Sequence, residues 1–309
     1  MKDKLLITGV GGFIASHVAR RFLREGFQVV GVDDFSSGYP KNVPEGLQFI
    51  HGDLSDLSVI SRIPKDCQII FHLAGQSSGE VSFDDPVADL RKNTTSTLNL
   101  IKYGVKNHIR RFIYASSMSV YGAATDKPTA ETSICMPLSC YGVSKLAAEG
   151  YLRAYRKYLP YVVLRMFNVY GPGQDMGNLR QGMVSIYLAQ ALVNGRIEVK
   201  GSIDRYRDFI FIDDVVEAWY RATFLREAEN QIVNVGTGIK TSVAELLERI
   251  SIYVPGTNYY ISENTPGDQT GIYADTSHMK YCLNMHKFTH LNSGLKTFTE
   301  WAKDKLPRV

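Results

Sequence analysis

Through its first half the chain alternates short apolar runs with stretches in which apolar residues recur every three or four positions, the pattern of a parallel sheet covered by helices on both faces. The runs predict strands at 5–8, 29–32, 47–50, 69–73, 111–115 and 162–167. Between the first two, Ile14, Val18 and Phe22 repeat at i, i+4 and i+8, so a helix there lays one apolar stripe on the sheet. Six such units in succession predict a doubly wound α/β fold. Beyond Asn168 the alternation stops: Gly171-Pro172-Gly173 breaks the chain, 175–181 reads as a polar loop, and the backbone is expected to leave the sheet. A helix at 183–194, strands near 197–199 and 208–212, and a helix at 213–225 follow. The run 232–235, closed by Gly236-Thr237-Gly238, reads as one more sheet strand. The expected organisation is a sheet domain of 1–170, rejoined by 207–238, and a smaller α/β lobe assembled from 171–206 and 239–309.

Composition narrows the class without naming it. With 44% hydrophobic and 21% charged positions among 309 residues, the chain is globular, and disordered, collagen-like and coiled-coil readings are excluded. A net charge of +4, from 35 Lys+Arg against 31 Asp+Glu without a basic run, gives no nucleic-acid surface but suits anionic small molecules. Cys67, Cys135, Cys140 and Cys282 have no CxxC or metal-ligand spacing, so reduced thiols and no metal site are expected. The N-terminal segment meets Gly9 after three apolar residues, too few for a secretion signal, and no stretch reaches the roughly 18 apolar residues of a membrane span. A soluble cytoplasmic protein is the expectation.

The first candidate chemistry follows the first strand. Gly9-Val10-Gly11-Gly12-Phe13-Ile14-Ala15 opens the first helix, where glycines let the backbone approach a pyrophosphate and the helix N-terminus offers N–H groups to it. The spacing, Gly9-x-x-Gly12-x-x-Ala15, departs from GxGxxG. Asp33 ends the second strand about 20 residues on, where a carboxylate accepts the two ribose hydroxyls of a dinucleotide. An acid there repels a 2′-phosphate, which favours NAD over NADP. Asp53, after the third strand, is placed either to meet the adenine or to cap a helix.

The second lies at Tyr141-Gly142-Val143-Ser144-Lys145, which sets a phenol and an ammonium on one helix face. A nearby cation lowers a tyrosine toward the range useful for acid/base work; the alternative is an ordinary surface pair. Ser117, at the end of the fifth strand, is either a third member holding the same substrate oxygen or a turn residue.

Taken together these motifs resemble the extended short-chain dehydrogenase/reductase superfamily, in its nucleotide-sugar, UDP-glucose 4-epimerase-like, epimerase/dehydratase branch. The resemblance covers nearly the whole chain, with 8–15, Asp33, His72-Leu73-Ala74-Gly75-Gln76, Asn93, 116–122, 141–145, 165–172, 207–214 and 234–238 in the family's order. It implies a Rossmann-type sheet domain holding NAD, a substrate-binding lobe, and a cofactor reduced and reoxidised within one turnover. Ser117, Tyr141 and Lys145 would be catalytic, with Lys145 and the charge of the nicotinamide keeping Tyr141 acidic. Gly9, Gly12, Phe13, Ile14, Asp33, Asp53, Leu54, Leu73, Asn93, Tyr141, Lys145 and Phe167 would line the cofactor site.

The reaction implied is C4 epimerisation of a UDP-hexose through a transient 4-keto sugar. Dehydrating relatives carry Thr-Asp-Glu where this chain has Ser117-Met118-Ser119, and decarboxylating ones an acid at Ser119, so neither chemistry is expected; Ser119 reads as a turn residue. Other readings are an epimerase acting at another carbon, a reductase or dehydratase on the same scaffold, or a non-catalytic NAD-binding regulatory protein. On the substrate side the resemblance implies Ser117, Asn168, Asn178, Lys200, Arg207, Asp268 and Ile272. Arg207 would pair with the diphosphate, a surface salt bridge to Asp204 or Asp208 being its alternative. Thr265 stands where the family has a second phosphate-binding arginine and Lys200 where an aromatic often packs on uracil; Lys200 or Arg205 would compensate. Ile272, or Gly271 or Tyr273 if the alignment slips by one, would wall the sugar pocket, and isoleucine leaves room for N-acetylated sugars. Members are often homodimers through a helix pair near the Tyr/Lys helix, which Leu146, Leu152 and Tyr155 would allow, though these equally suit sheet-facing core.

Overall fold

The computed structural model describes residues 2–123, 126–263 and 270–305. Its strands are β1 (Lys4–Thr8), β2 (Gln28–Asp33), β3 (Gln48–His51), β4 (Ile69–His72), β5 (Arg111–Ser117), β6 (Tyr161–Met166), β7 (Asn168–Tyr170), β8 (Arg196–Lys200), β9 (Tyr206–Arg207), β10 (Phe209–Phe211), β11 (Gln231–Val235), β12 (Thr241–Ser242) and β13 (Asn258–Ser262). Its helices are α1 (Phe13–Arg24), α2 (Leu57–Ser61), α3 (Pro86–Leu90), α4 (Ser96–Lys106), α5 (Cys140–Tyr155), α6 (Met183–Asn194), α7 (Ile212–Phe224), α8 (Val243–Tyr253), α9 (Ser277–Leu283) and α10 (Leu291–Lys303).

Seven strands form one parallel sheet in the order β11-β6-β5-β4-β1-β2-β3, with β11 alongside β6. The central strands are buried on both faces, which is why they read as continuous apolar runs. Helix α1 lays Val18 and Phe22 into the core, and the Phe22 ring packs at a tilt on Phe71 of β4, with centroids 4.8 Å apart. Beyond β6, three two-stranded pairs (β7 with β10, β8 with β13, β9 with β12) build the remaining α/β part. The strand expected at 208–212 is broken at Asp208, whose carboxylate accepts from Thr237, Gly238 and Ala274 and so ties β9 and β10 to the turn after β11. Leu152 is buried in the core beneath the sheet, while Tyr155 packs against the same core and Leu146 against the cluster that holds Phe167, both remaining partly exposed. Among the described residues no helix is long and apolar enough to cross a membrane.

The strand order reverses between β1 and β4, and the loops leaving their C-terminal ends part there to open a crevice. A directed hydrogen-bond chain holds that point. Thr8 Oγ1 accepts the N–H groups of Leu73 and Ala74 at 3.1 and 3.0 Å, so its own proton goes to His72 Nδ1 at 2.9 Å. The His72 ring is therefore the Nε2–H tautomer. It donates to Thr97 Oγ1 at 3.0 Å, and Thr97 donates to the Asn93 carbonyl at 2.5 Å. Asn93 sits in a single π-helical turn, 91–95, between α3 and α4.

Burial, helped by the charge of Lys145, pushes the His72 imidazole down to about 3 from its ordinary 6.5. Between those values the unfolded chain binds a proton that the folded chain does not, so stability falls as pH drops through that window, by up to about 1.4 kcal/mol per pH unit. Urea denaturation at pH 7 and pH 5 checks this: His72→Gln is expected to lose less stability between the two than the unsubstituted chain. Equal losses would mean the ring takes its proton while folded.

Candidate active site

A cavity of about 610 Å³ runs along the C-terminal ends of the sheet strands. Its first wall is the turn from β1 to α1. Gly9 has φ +78°, and a Cβ there would stand 2.9 Å from Ala74 N, so only glycine lets the β1 and β4 loops approach this closely. No side chain caps α1, and 11–15 line the cavity, which leaves the first N–H groups of that helix to an anion. Both oxygens of Asp33 already accept backbone N–H groups, Gly11 at 2.9 Å and Phe35 at 2.7 Å. Burial nevertheless raises its carboxyl above the ordinary range. Each oxygen keeps a second lone pair for a ribose hydroxyl. Asp53 and Leu54 line the same wall; Asp53 accepts from Ser55 N, while the cap of α2 is Asp56, so Asp53 is not the helix cap. Leu73 and Phe167 complete this half.

Asn93 lies behind that wall, fully buried. Its Oδ1 has no hydrogen-bond partner among the described residues and occupies the place a Cβ on Gly75 would fill, 2.2 Å away. Glycine cradles, an uncapped helix and a buried unused acceptor are the features a dinucleotide needs, so the residues present fit NAD.

Ser117, Tyr141 and Lys145 meet on the opposite wall. Ser139 caps α5, fixing where the helix starts and hence which face carries Tyr141 and Lys145. Lys145 donates to the Ala115 carbonyl at 3.0 Å, and its ammonium stands 5.7 Å from the centre of the Tyr141 ring. Burial lowers the ammonium to about 8, opposed by Asp89 and Glu149. The expected acidification of Tyr141 is not present in the protein alone: burial pushes the phenol up to about 12 despite the opposing effect of the Ser117 hydroxyl, and the Asp89 charge adds to the rise. Ser119, expected to be an idle turn residue, lines the cavity, accepts the Ser117 hydroxyl at 3.2 Å and donates its N–H to the same Ser117 oxygen.

The far end of the cavity is cationic. Arg207 and Arg205 are buried there, and burial first, then the charge of Arg205, brings the Arg207 guanidinium down to about 10. Asp208 is committed to Thr237, Gly238 and Ala274, so it is no surface partner for Arg207. Asn168, Asn178 and Lys200 also line this end, Lys200 lying 4.0 Å from Glu80. Ile272 does not: it is fully buried against Val120, Tyr121 and Phe167, and neither it nor Gly271 nor Tyr273 reaches the cavity. The short backbone bridges from Tyr206 to Gly271 and from Thr129 to Ala274 turn this segment inward. Asp268 and Thr265 lie outside the described residues.

Sequence reasoning passed over a second layer. Glu149, four residues past Lys145, takes Arg165 through both oxygens at 3.0 and 2.7 Å and the Ser116 hydroxyl as well. The signal was the continuing four-residue spacing on the helix face. Asp89, buried on α3, accepts from Ser144 at 2.6 Å and from the Asn93 amide at 3.0 Å, and no sequence spacing points to it.

The comparisons agree with this geometry. The UDP-glucose 4-epimerase of Mycolicibacterium smegmatis is 37% identical over 253 residues, 79% of this chain and 80% of its own. The crystal structure of UDP-glucose 4-epimerase from Thermotoga maritima with UDP-glucose superposes with a TM-score of 0.93 at 32% identity, covering 98% of this chain and 100% of that one. The Thermus thermophilus UDP-glucose 4-epimerase complex with NAD gives 0.88 at 28% identity over 98% and 100%. Residues 5–236 match the NAD dependent epimerase/dehydratase family, and it is to this family that the chain belongs.

Proposed function

We propose that this protein interconverts the C4 epimers of a UDP-hexose, UDP-Glc/UDP-Gal or their N-acetyl forms, through a transient 4-keto sugar. The observation that carries the reading is the convergence of Ser117, Tyr141 and Lys145 on one cavity wall, with no carboxylic acid at Met118 or Ser119. Gly9, Gly12, Phe13, Ile14, Asp33, Asp53, Leu54, Leu73 and Phe167, with Asn93 behind them, hold the NAD. When bound, NAD supplies the reversible two-electron acceptor for the sugar C4 and, oxidised, the positive charge that the raised Tyr141 phenol calls for.

The remaining steps belong to the chain. Tyr141 takes the O4 proton as C4 is oxidised and returns it when C4 is reduced from the other face. With substrate bound, the Ser117 proton, which the structure shows donated to Ser119 Oγ, turns to the same sugar oxygen, while the hydrogen bond from Ser119 N holds the Ser117 oxygen in place. Lys145 holds the cofactor ribose. Arg205, Arg207 and Lys200, with Asn168 and Asn178, take the diphosphate and the nucleotide; the UDP-sugars of the epimerase relatives support this assignment. Neither Met118 nor Ser119 offers a proton able to expel a C6 hydroxyl at neutral pH, which is why epimerisation is favoured over dehydration.

The stripe Val143, Ala147, Tyr151 on the outer side of α5, exposed at Val143 and Tyr151 and beside Val87 and Leu90 on α3, supports a homodimer through these helices.

Three outcomes check these readings. Incubation of the purified protein, without added cofactor, with UDP-Glc, UDP-Gal, UDP-GlcNAc and UDP-GalNAc is expected to give the C4 epimer of at least one by NMR; a product lacking the C6 hydroxyl would overturn the reading. Tyr141→Phe is expected to lower turnover by at least about 10³-fold while NAD binding measured by NADH fluorescence changes less than about threefold. Val143→Arg is expected to convert the dimer to monomer in sedimentation velocity, and a chain that is monomeric without the substitution would remove the dimer.

A further inference from the structure

Asp89 is a buried carboxylate that the proposed chemistry leaves unused. It is 2% exposed on α3, and its two oxygens have different partners. Oδ2 accepts the Ser144 hydroxyl at 2.6 Å, beside Lys145 in the sequence; Oδ1 accepts Asn93 Nδ2 at 3.0 Å. An ionised carboxylate only accepts, so it dictates which end of the Asn93 amide turns toward it. The NH₂ group faces Asp89 and the carbonyl Oδ1 faces the opposite way. That oxygen, fully buried and without a partner among the described residues, lies 2.2 Å from the point where a Cβ on Gly75 would stand, and the Lys145 ammonium lies 3.5 Å from the same point. An acceptor and a cation are thus aimed at one corner of the cofactor wall. A flipped amide would turn N–H donors toward that corner instead of an acceptor.

We propose that Asp89 is a positioning residue for Lys145: it holds the Asn93 oxygen in the lysine's corner and stands behind the ammonium as a fixed negative charge, keeping Lys145 protonated and in place. The backbone is arranged for this. The π-helical turn 91–95 widens the chain at Asn93, and the carbonyl of Asn93 is held by Thr97 in the chain that begins at His72, so the side chain needs only its amide orientation set. The other groups facing Lys145 are Tyr141 and Glu149 from its own helix, Tyr114 from β5 with its ring 5.0 Å away, and neutral His72 from β4. Glu149 is shared with Arg165 and Ser116, whereas Asp89 is bonded to Ser144, next to Lys145 in the chain, and to Asn93, whose oxygen faces the same corner as the ammonium.

The inference rests on the reading that Lys145 holds the cofactor, and the test separates the two. NADH affinity of the full chain, read by NADH fluorescence from pH 6 to 10, is expected to fall above about pH 8 as Lys145 loses its proton. Asp89→Asn keeps the packing, presents a carbonyl to Asn93 and removes only the charge; the fall is expected about half a pH unit or more lower. Asp89→Ala removes the amide anchor too, and affinity at pH 6 is expected to drop about tenfold in addition. If Asp89→Ala does not fold, the isosteric Asp89→Asn decides alone. A fall that stays in place in Asp89→Asn while Lys145→Met abolishes it overturns the role of Asp89 and leaves the cofactor reading intact. A fall that survives in Lys145→Met overturns both.

Discussion

Lys145 carries an ammonium into the seam between α5 and β5, and much of the surrounding polar structure exists because that cation is out of water. Three consecutive strand residues meet three residues of one helix face: Ala115 takes Lys145, Ser116 bonds Glu149, and Ser117 lines the cavity with Tyr141. Each partner brings a requirement of its own. Glu149 is buried and needs Arg165; Arg165 lies flat on Tyr121 at 4.7 Å; Tyr121 bonds Asn234 of β11. Removing one member of such a buried pair costs about 3–5 kcal/mol, because the charge left behind has no water to turn to. The wall formed by Ser117, Tyr141 and Lys145 is braced in that way, by contacts that reach Asn234 on the edge strand of the sheet.

The parallel sheet was legible because its strands are buried on both faces and leave an apolar run with no competing period. Helices α1 and α6 were equally clear, from the stripe of Ile14, Val18 and Phe22 and from the apolar block ending at Gly195. Less of the second part could be read, since strands of two or three residues such as β9, β10 and β12 are too short to show a periodic pattern. Of the candidate site residues, those tied to a turn or to helical spacing line the cavity together: Gly9, Gly12, Asp33, Tyr141 and Lys145. Asp89 and Ile272 show the limit. Asp89 acts through contacts with residues on two other elements, and Ile272 is turned inward by backbone bridges that no local pattern announces.

The cavity is also closed by contacts between distant segments. Arg180 reaches Glu80 and Asp84 across the mouth, Tyr39 bonds Asp175, and Gln181 bonds Ser77. These pairs are exposed, and each contributes about 1 kcal/mol or less. The contrast with the buried Glu149–Arg165 pair is physical: the floor of the cavity is fixed by charges that cannot separate without large cost, and its mouth by charges that exchange with water readily.

Strand β11 closes the edge of β6, yet the chain reaches it only after the whole excursion through α6 and α7. On a ribosome, β6 therefore emerges long before its ladder partner, with Tyr161, Val162, Val163 and Leu164 apolar on both faces and a row of unpaired N–H and C=O groups. Such an edge invites pairing with the same strand of another nascent copy. Arg165, the one charge in that strand, is positioned to discourage it, since two stacked copies would bring like guanidinium groups together before Glu149 neutralises either. The charge that pairs with Glu149 in the finished fold thus also interrupts the apolar run of that edge while it is still unpaired.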